Sequence, residues 1–348
     1  MNFYQNKKVL ITGNTGFKGT WLTRILLLNG ANVCGYSLNA PSNPNMFELL
    51  GINSNIQNIK GDILDFDKLK NTINKFKPDV IFHLAAQPIV RKSYEDPITT
   101  YKTNVLGTLN LLEAIRGINH AVSVVNVTTD KVYLNKEWEW GYREDEALDG
   151  FDPYSNSKSC SELITHCYIN SFFKKNKIPV STARAGNVIG GGDFAADRII
   201  PDCVRAQINS IEIKVRNPNS TRPYQHVLEP LFAYLMIAAA QAEDYTKAGF
   251  YNVGPDDIDC RTTGEIVDLF CKYWGNNTKW TNINEENAPH EANFLKLDSS
   301  RIKRLIGWKP NWHVDEAIKK SCEWYKAFLN KENLTNITDK QIISYQEN

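Results

Sequence analysis

The chain has 348 residues, enough for one or two domains around a large core, and its 40 Lys+Arg against 39 Asp+Glu leave a net charge of +1. No segment carries a basic block, so composition gives no support to a nucleic-acid or membrane-surface partner. Seven cysteines, at 34, 160, 167, 203, 260, 271 and 322, are an odd set without a C-x-x-C pair and read as reduced thiols rather than a disulfide frame or zinc site.

In chain order, K-K-V-L-I-T is a strand that ends at Gly13, and G-F-K-G-T-W-L-T-R-I-L-L-L-N is a helix closed by Gly30. The strands A-N-V-C-G-Y-S and I-Q-N-I-K-G-D-I follow, then a helix over D-F-D-K-L-K-N-T-I-N-K-F with Leu69, Ile73 and Phe76 as its apolar stripe. D-V-I-F-H-L-A is a strand, and a longer helix through Tyr101, Val105, Leu109 and Leu112 leads to the strand A-V-S-V-V-N-V. Another helix begins near Pro153, and P-V-S-T-A-R is a further strand. Near-continuous apolar strands alternating with helices predict an α/β, Rossmann-type doubly wound parallel sheet covered on both faces.

That domain is expected over residues 1–186, with a helix and strand returning to it near 227–254. Residues 187–330 are mainly a smaller mixed lobe over the sheet's carboxyl edge, where such folds bind ligands. Residues 331–348 read as a polar, aperiodic tail. The apolar run Leu231–Ala240 is too short to span a bilayer and follows Pro230, so it is expected to be a core helix. No signal-peptide pattern precedes the first strand, which points to the cytoplasm.

T-G-N-T-G-F-K-G places Gly13, Gly16 and Gly19 between the first strand and first helix. Glycines there allow a tight turn, close approach of a pyrophosphate to backbone N–H groups, and helix–strand packing, so a dinucleotide is expected. The spacing is GxxGxxG. The acid expected at the end of the second strand is missing, since that strand ends at Tyr36-Ser37 and the first carboxylate afterwards is Glu48. No Lys or Arg lies between Gly35 and Ile59 to hold a 2′-phosphate; Lys18 is the one cation near the loop. Ser37 can hydrogen-bond a ribose hydroxyl, and NAD is expected over NADP.

The run N-V-T-T-D-K-V-Y ends a strand with a hydroxyl, a carboxyl and an amine in succession, Thr129, Asp130 and Lys131. Downstream, D-P-Y-S-N-S-K puts Tyr154 and Lys158 on one helical face. A phenol of pKa ~10 is a poor base, and an ammonium ~4 Å away at an effective dielectric of ~20 would lower it by about three units.

These motifs, together with H-L-A-A-Q (83–87), resemble the extended short-chain dehydrogenase/reductase superfamily, in its nucleotide-sugar branch of epimerases and 4,6-dehydratases. The stretches T-G-N-T-G-F-K-G-T-W-L, T-T-D-K-V-Y, G-Y-R-E-D, D-P-Y-S-N-S-K, R-P-Y-Q-H-V-L-E-P and H-E-A-N-F-L-K-L-D resemble the CDP-glucose 4,6-dehydratases more narrowly, over about residues 7–328. The resemblance implies that Tyr154, helped by Lys158 and Thr129, takes the C4 hydroxyl proton as hydride passes to NAD. Asp130 would then protonate the departing C6 hydroxyl while a base removes the C5 proton, and the product is a 4-keto-6-deoxy sugar nucleotide. Most nucleotide-sugar 4,6-dehydratases carry a glutamate at the position of Lys131. The CDP-glucose enzymes share the lysine, which leaves open whether Lys131 is the C5 base or a positioning donor.

The resemblance also implies dinucleotide contacts from Phe17, Lys18, Asp62, Ile63, Ala85, Ala86, Tyr154 and Lys158. Asn187, Arg222 and Arg216 are expected at the diphosphate, where a planar fork suits phosphate oxygens. R-I-I-P-D (198–202) resembles a base-pocket segment, and Gln87, Arg91 and Glu291 are further candidates for sugar or nucleotide contacts. The six histidines form no metal pattern, and no metal is expected. The alternatives are a 4,6-dehydratase or 4-epimerase of a dTDP-, UDP- or GDP-hexose, and a non-catalytic dinucleotide sensor. The superfamily further implies a homodimer or homotetramer packed through the helices near Pro97 and Pro153.

Overall fold

The computed structural model describes residues 2–120, 122–275, 277–283 and 293–347. At its centre lies an all-parallel sheet of β1 (Lys8–Thr12), β2 (Asn32–Ser37), β3 (Gln57–Lys60), β4 (Val80–His83), β5 (Ser123–Thr128), β6 (Val180–Arg184) and β7 (Phe250–Asn252), in the order β7-β6-β5-β4-β1-β2-β3. The winding reverses between β1 and β4, where Thr12 pairs with His83, and a crevice opens above their carboxyl ends.

Successive residues of a strand face opposite sides. Val9, Ile11, Val80, Phe82, Val125 and Val127 therefore enter one core, while Leu10, Ile81 and Val124 enter the other. This is why β1 and β4 read as apolar runs, whereas β3 at the sheet's edge is largely exposed. Of the helices, α1 (Phe17–Leu28) covers the first face, α2 (Phe66–Phe76) and α3 (Gly107–Arg116) cover the second, and α4 (Pro153–Tyr168) packs beside α3. Farther along come α5 (Ile199–Ile208), α6 (Leu228–Glu243), α7 (Thr263–Trp274), α8 (Val314–Leu329) and α9 (Leu334–Glu347). Helix α6 returns to the sheet's first face with Leu231, Ala233, Leu235, Ile237 and Ala238 buried. Short strand pairs, such as Thr221–Pro223 with Cys260–Thr262, complete the lobe. Among the described residues no helix is long and apolar enough to cross a membrane.

The expectation of a polar tail over 331–348 is overturned. Helix α9 buries Leu334, Ile342 and Tyr345 in the first core. Its stripe is completed by the polar Thr338, whose hydroxyl accepts from Trp324 Nε1 at 3.0 Å, and Gln341, which donates to the Lys320 carbonyl at 2.9 Å. Hydrophobic periodicity does not register a stripe completed by buried polar residues. Arg24 of α1 grips Asp339 through two bonds of 2.6 and 2.5 Å, fixing α9 to the first domain.

Candidate active site

The glycine loop sits at the crevice. Gly13 has φ +77°, and a Cβ there would approach the Ala85 nitrogen to 2.8 Å. A Cβ on Gly19 would fall 2.2 Å from the Gly13 carbonyl oxygen, whereas one on Gly16 meets only that oxygen, at 3.4 Å. Gly16 therefore keeps a space open above the N-terminus of α1, the cradle that a pyrophosphate needs. Beside it, Ser37 Oγ and Asn14 Oδ1 are buried without a hydrogen-bond partner. Orphaned polar atoms are rare in folded proteins, and this pair fits ribose hydroxyls. Phe17 packs toward Gly190, Ile63 is buried in the second core, and Asp62 braces the end of β3 by accepting from the Leu64 nitrogen at 2.9 Å. Ala85 and Ala86 follow β4 and are half-buried. His83 is locked between the Thr12 and Thr108 hydroxyls at 2.7 and 3.2 Å. The residues present fit a dinucleotide.

The end of β5 leads into the turn that carries Thr129, Asp130 and Lys131. Thr129 caps the turn Asp130–Val132 and donates to Asp130 Oδ1 at 3.0 Å. Asp130 is fully buried, and its Oδ2 has no partner. Its carboxyl lies against Gly186, where a Cβ would come within 1.8 Å of it. Helix α4 begins with the Asp152 side chain accepting from the Ser155 nitrogen at 2.9 Å and Pro153 in the first turn. Tyr154 thereby joins Thr129, Asp130, Lys131 and Lys18 on the wall of one cleft.

The electrostatics depart from the sequence expectation. Burial pushes the Tyr154 phenol up to about 12, against the opposing pull of a Thr129 hydrogen bond and of the Arg198 guanidinium. Lys158 is buried, its Nζ donates to the Val127 carbonyl at 3.1 Å, and burial lowers it to about 8 despite the Glu162 carboxylate. A spacing of i and i+4 predicts a shared face but not the desolvation that comes with it, and in the isolated chain desolvation wins. Lys18 is lowered to about 7, first by burial and then by Arg198; its Nζ lies 3.5 Å from the Tyr234 hydroxyl.

The lobe supplies the opposite wall. Asn187, with φ +47°, lines the cleft with Arg91, Arg216 and Arg222. Asp197 sits between two of these arginines, 3.6 Å from Arg91 and 3.2 Å from Arg216. Gln87 does not reach the cleft. Its side chain is engaged with Ile89 and Thr100 at 2.7 to 3.0 Å and its backbone nitrogen with Asn104 at 2.8 Å, so it braces the loop after β4. Glu291 lies outside the described residues. The cleft lining holds seven Lys and Arg against four Asp, a local excess that the near-neutral total conceals.

Residues 10–321, well over half of the chain, match the profile of the family described as GDP-mannose 4,6 dehydratase. This chain belongs to the GDP-mannose 4,6 dehydratase family. A CDP-glucose 4,6-dehydratase of Salmonella typhimurium is 46% identical to it over 350 residues, spanning 99% of this chain and 97% of the relative. The fold is shared with a Bacillus anthracis dTDP-glucose 4,6-dehydratase solved in complex with NAD (TM-score 0.77, 21% identity, 94% of this chain and 99% of that one). It is also shared with a UDP-glucose-4-epimerase from Stenotrophomonas maltophila solved with bound NAD and a formylated UDP-arabinopyranose (TM-score 0.81, 18% identity, 94% and 100%).

In this member of the GDP-mannose 4,6 dehydratase family, one pair extends the sequence reading, which had Arg198 only within the R-I-I-P-D segment, and another escaped it. Arg198 and Asp193 pair at 2.9 Å in the cleft wall. Behind the turn that carries Thr129, Asp130 and Lys131, Glu162 and Arg184 form a fully buried ion pair at 2.9 Å. Glu162 also accepts from Thr128 at 2.5 Å, and Arg184 donates to the Tyr133 hydroxyl at 2.8 Å. Residues on both sides of Thr129-Asp130-Lys131 are thus tied to one buried pair. The signal for Glu162 was its place four residues beyond Lys158 on the same helical face.

Proposed function

We propose that this chain is an NAD-dependent 4,6-dehydratase that converts CDP-glucose to the 4-keto-6-deoxy sugar nucleotide, with loss of water, in deoxysugar biosynthesis. The observation that carries the reading is Asp130, a buried carboxyl with an unpartnered oxygen on the same cleft wall as Tyr154. Epimerisation at C4 needs a base for the hydroxyl and a cofactor, whereas elimination needs an acid in addition. Full-length 46% identity to a CDP-glucose 4,6-dehydratase supports the same choice.

NAD, held by Gly13, Gly16, Gly19, Ser37 and Lys158, would supply the hydride acceptor and donor. Tyr154 accepts the C4 hydroxyl proton, with Thr129 hydrogen-bonded to its oxygen. The resulting ketone acidifies the C5 hydrogen. Asp130 in its acid form protonates the C6 hydroxyl, which leaves as water while Lys131, the amine next to it on the cleft wall, removes the C5 proton. Arg91, Asn187, Arg216 and Arg222 hold the diphosphate. The exposed apolar side chains Ile98, Phe151 and Leu163, near the helices that start at Pro97 and Pro153, support a homodimer, and the cytoplasm is its proposed compartment.

The test is a panel of CDP-, dTDP-, UDP- and GDP-hexoses incubated with NAD and read by mass spectrometry. A product lighter by one water from CDP-glucose is expected. Product of unchanged mass, or no turnover of any member, overturns the reading. Lys131→Met should abolish solvent-deuterium exchange at C5, and normal exchange removes Lys131 from the base role.

A further inference from the structure

Gly186 comes two residues after β6, is buried, and lines the cleft beside Asn187. The three atoms nearest to the place of its missing Cβ all belong to one carboxyl: Asp130 Oδ2 at 1.8 Å, Cγ at 1.9 Å and Oδ1 at 2.2 Å. The acid group therefore stands inside the volume that the side chain of any other residue would fill. Backbone conformation does not itself call for glycine here, since Gly186, unlike Gly13 and Gly192, has no positive φ. The backbone is also held against stepping back. Buried Gln225 donates from Nε2 to the Gly186 carbonyl at 3.4 Å and to the Val253 carbonyl at 2.9 Å, and its own nitrogen donates to the Asn187 carbonyl at 3.2 Å. On the strand side, Arg184 is fixed by its 2.9 Å ion pair with Glu162. From across the contact, the Thr129 hydroxyl donates to Asp130 Oδ1 at 3.0 Å, while Oδ2, the oxygen nearest the missing Cβ, has no partner.

We propose that Gly186 is a positioning residue that determines the course of the reaction: its missing side chain seats the Asp130 carboxyl, and that seat makes elimination follow oxidation at C4. The proposal rests on the dehydratase reading above and deepens it. The first step uses Tyr154 and Lys158 of α4 and Thr129 of the turn after β5, with hydride leaving C4 for the cofactor and the hydroxyl proton passing to Tyr154. Asp130 has no part in that step. In the second, the C5–H and C6–O bonds break. The C5 proton goes to the base, Asp130 gives its proton to the C6 oxygen, and water departs. Hydride then returns to C6 and a proton to C5. With the acid pushed out of its seat the C6–O bond does not break, and the hydride stays on the cofactor or goes back to C4. A hollow one methyl group in size thus separates dehydration from a C4 redox step that ends where it began.

The first measurement is the crystal structure of Gly186→Ala, which needs no turnover and so stands apart from a failure of the CDP-glucose reading. The Asp130 carboxyl should have left the Thr129 hydroxyl. A carboxyl still in its parent place, with the backbone at 186 displaced instead, overturns the proposal. Should Gly186→Ala not fold, adding Asp130→Ala should restore folding, because the carboxyl is what the new methyl group meets; a double variant that also fails to fold overturns the proposal. The second measurement is the partition of turnover with CDP-glucose and NAD. In Gly186→Ala the dehydrated product should form about a hundredfold more slowly, the contribution of a positioned general acid. Reduced cofactor should meanwhile build up, seen by its near-ultraviolet absorbance, with KM close to the parent value. Asp130→Asn, which keeps the shape and removes the acid, should give the same pattern. Loss of reduced cofactor and product together, or a rise in KM with kcat unchanged, overturns the proposal by making Gly186 a general structural or substrate-binding position. A parent chain that turns over no nucleotide hexose refutes the dehydratase reading instead, and the crystal structure still decides whether Gly186 seats Asp130.

Discussion

Replacing Glu162 with glutamine would strand the guanidinium of Arg184 in the protein interior. Both side chains are fully buried and 2.9 Å apart, and the Thr128 and Thr182 hydroxyls donate to the same carboxylate at 2.5 and 2.8 Å. Removing one member of such a pair costs about 3–5 kcal/mol, because the remaining charge has no compensation. Burial alone would raise the Glu162 carboxyl. The Arg184 guanidinium, with His166 and Thr128, outweighs that and holds it at about 2 against an ordinary 4.5. At about 1.4 kcal/mol per tenfold change, that gap is worth about 3 kcal/mol. The folded value lies below the unfolded one, so this stability is present above pH 4.5 and is lost as pH falls toward 2. Urea unfolding followed by tryptophan fluorescence, from neutral pH down to about 3, would measure both terms. Glu162→Gln should be less stable than the parent by about 3 kcal/mol at neutral pH, with the difference shrinking through the carboxylate range. A neutral-pH difference below about 1 kcal/mol, the range of an exposed pair, would refute the reasoning, as would a difference that persists undiminished in acid.

The two inner glycines of the loop should separate binding from folding. Gly16→Ala should keep the parent thermal midpoint and lose NAD affinity, because its Cβ projects into the cradle, while Gly19→Ala should lose stability through its 2.2 Å approach to the Gly13 oxygen; equal effects on both readouts would contradict this. Ile342→Ala in α9 should lower the unfolding free energy by about 2–5 kcal/mol, as expected for a fully buried core side chain, and a change under about 0.5 kcal/mol would mean that the helix is not docked. Glu229 has the sign opposite to Glu162: burial raises it to about 7, although it accepts from the Trp312 nitrogen and the Tyr345 hydroxyl. Its contribution is complete below pH 4.5 and lost as pH rises through about 7, so Glu229→Gln should gain thermal stability relative to the parent on going from about pH 5 to 8, and a pH-independent difference would rule this out.

How far the molecule could be read from its sequence depended on whether the signal was local. Six of the seven strands were read one by one, the inner ones because a parallel sheet buried on both faces needs apolar side chains at consecutive positions, as in Val9, Leu10 and Ile11, while β7 was expected only within a return near 227–254. The helix that carries Tyr154 was legible from Pro153 in its first turn, and its cap is equally local, Asp152 accepting from the Ser155 nitrogen. Helix α9 was not legible, since the polar Thr338 and Gln341 occupy buried positions and bond to Trp324 and to the Lys320 carbonyl of α8. Gln87 was a candidate for a sugar or nucleotide contact, and its side chain bonds to Ile89 and Thr100. The desolvation of Tyr154 was not legible for the same reason: its spacing to Lys158 is in the sequence, but its burial is a property of the assembled cleft.

Charge shows the same division between what averages over a chain and what acts at a site. A net of +1 argues against a polyanionic surface partner, and it is silent about a cleft lined by seven cations and four carboxylates. Within that cleft, burial brings Lys18 to about 7 and Lys158 to about 8, so the isolated chain holds both ammonium charges only loosely. An anionic ligand seated among them favours their charged forms and is in turn held by them. Lys18 lies in the first turn of α1, where the helix dipole disfavours a cation unless an anion is present. A pyrophosphate at the glycine loop would supply that anion, and the substrate diphosphate proposed near Arg91, Arg216 and Arg222 would supply another. The excess of cations is therefore what a site for two diphosphate-bearing ligands would require.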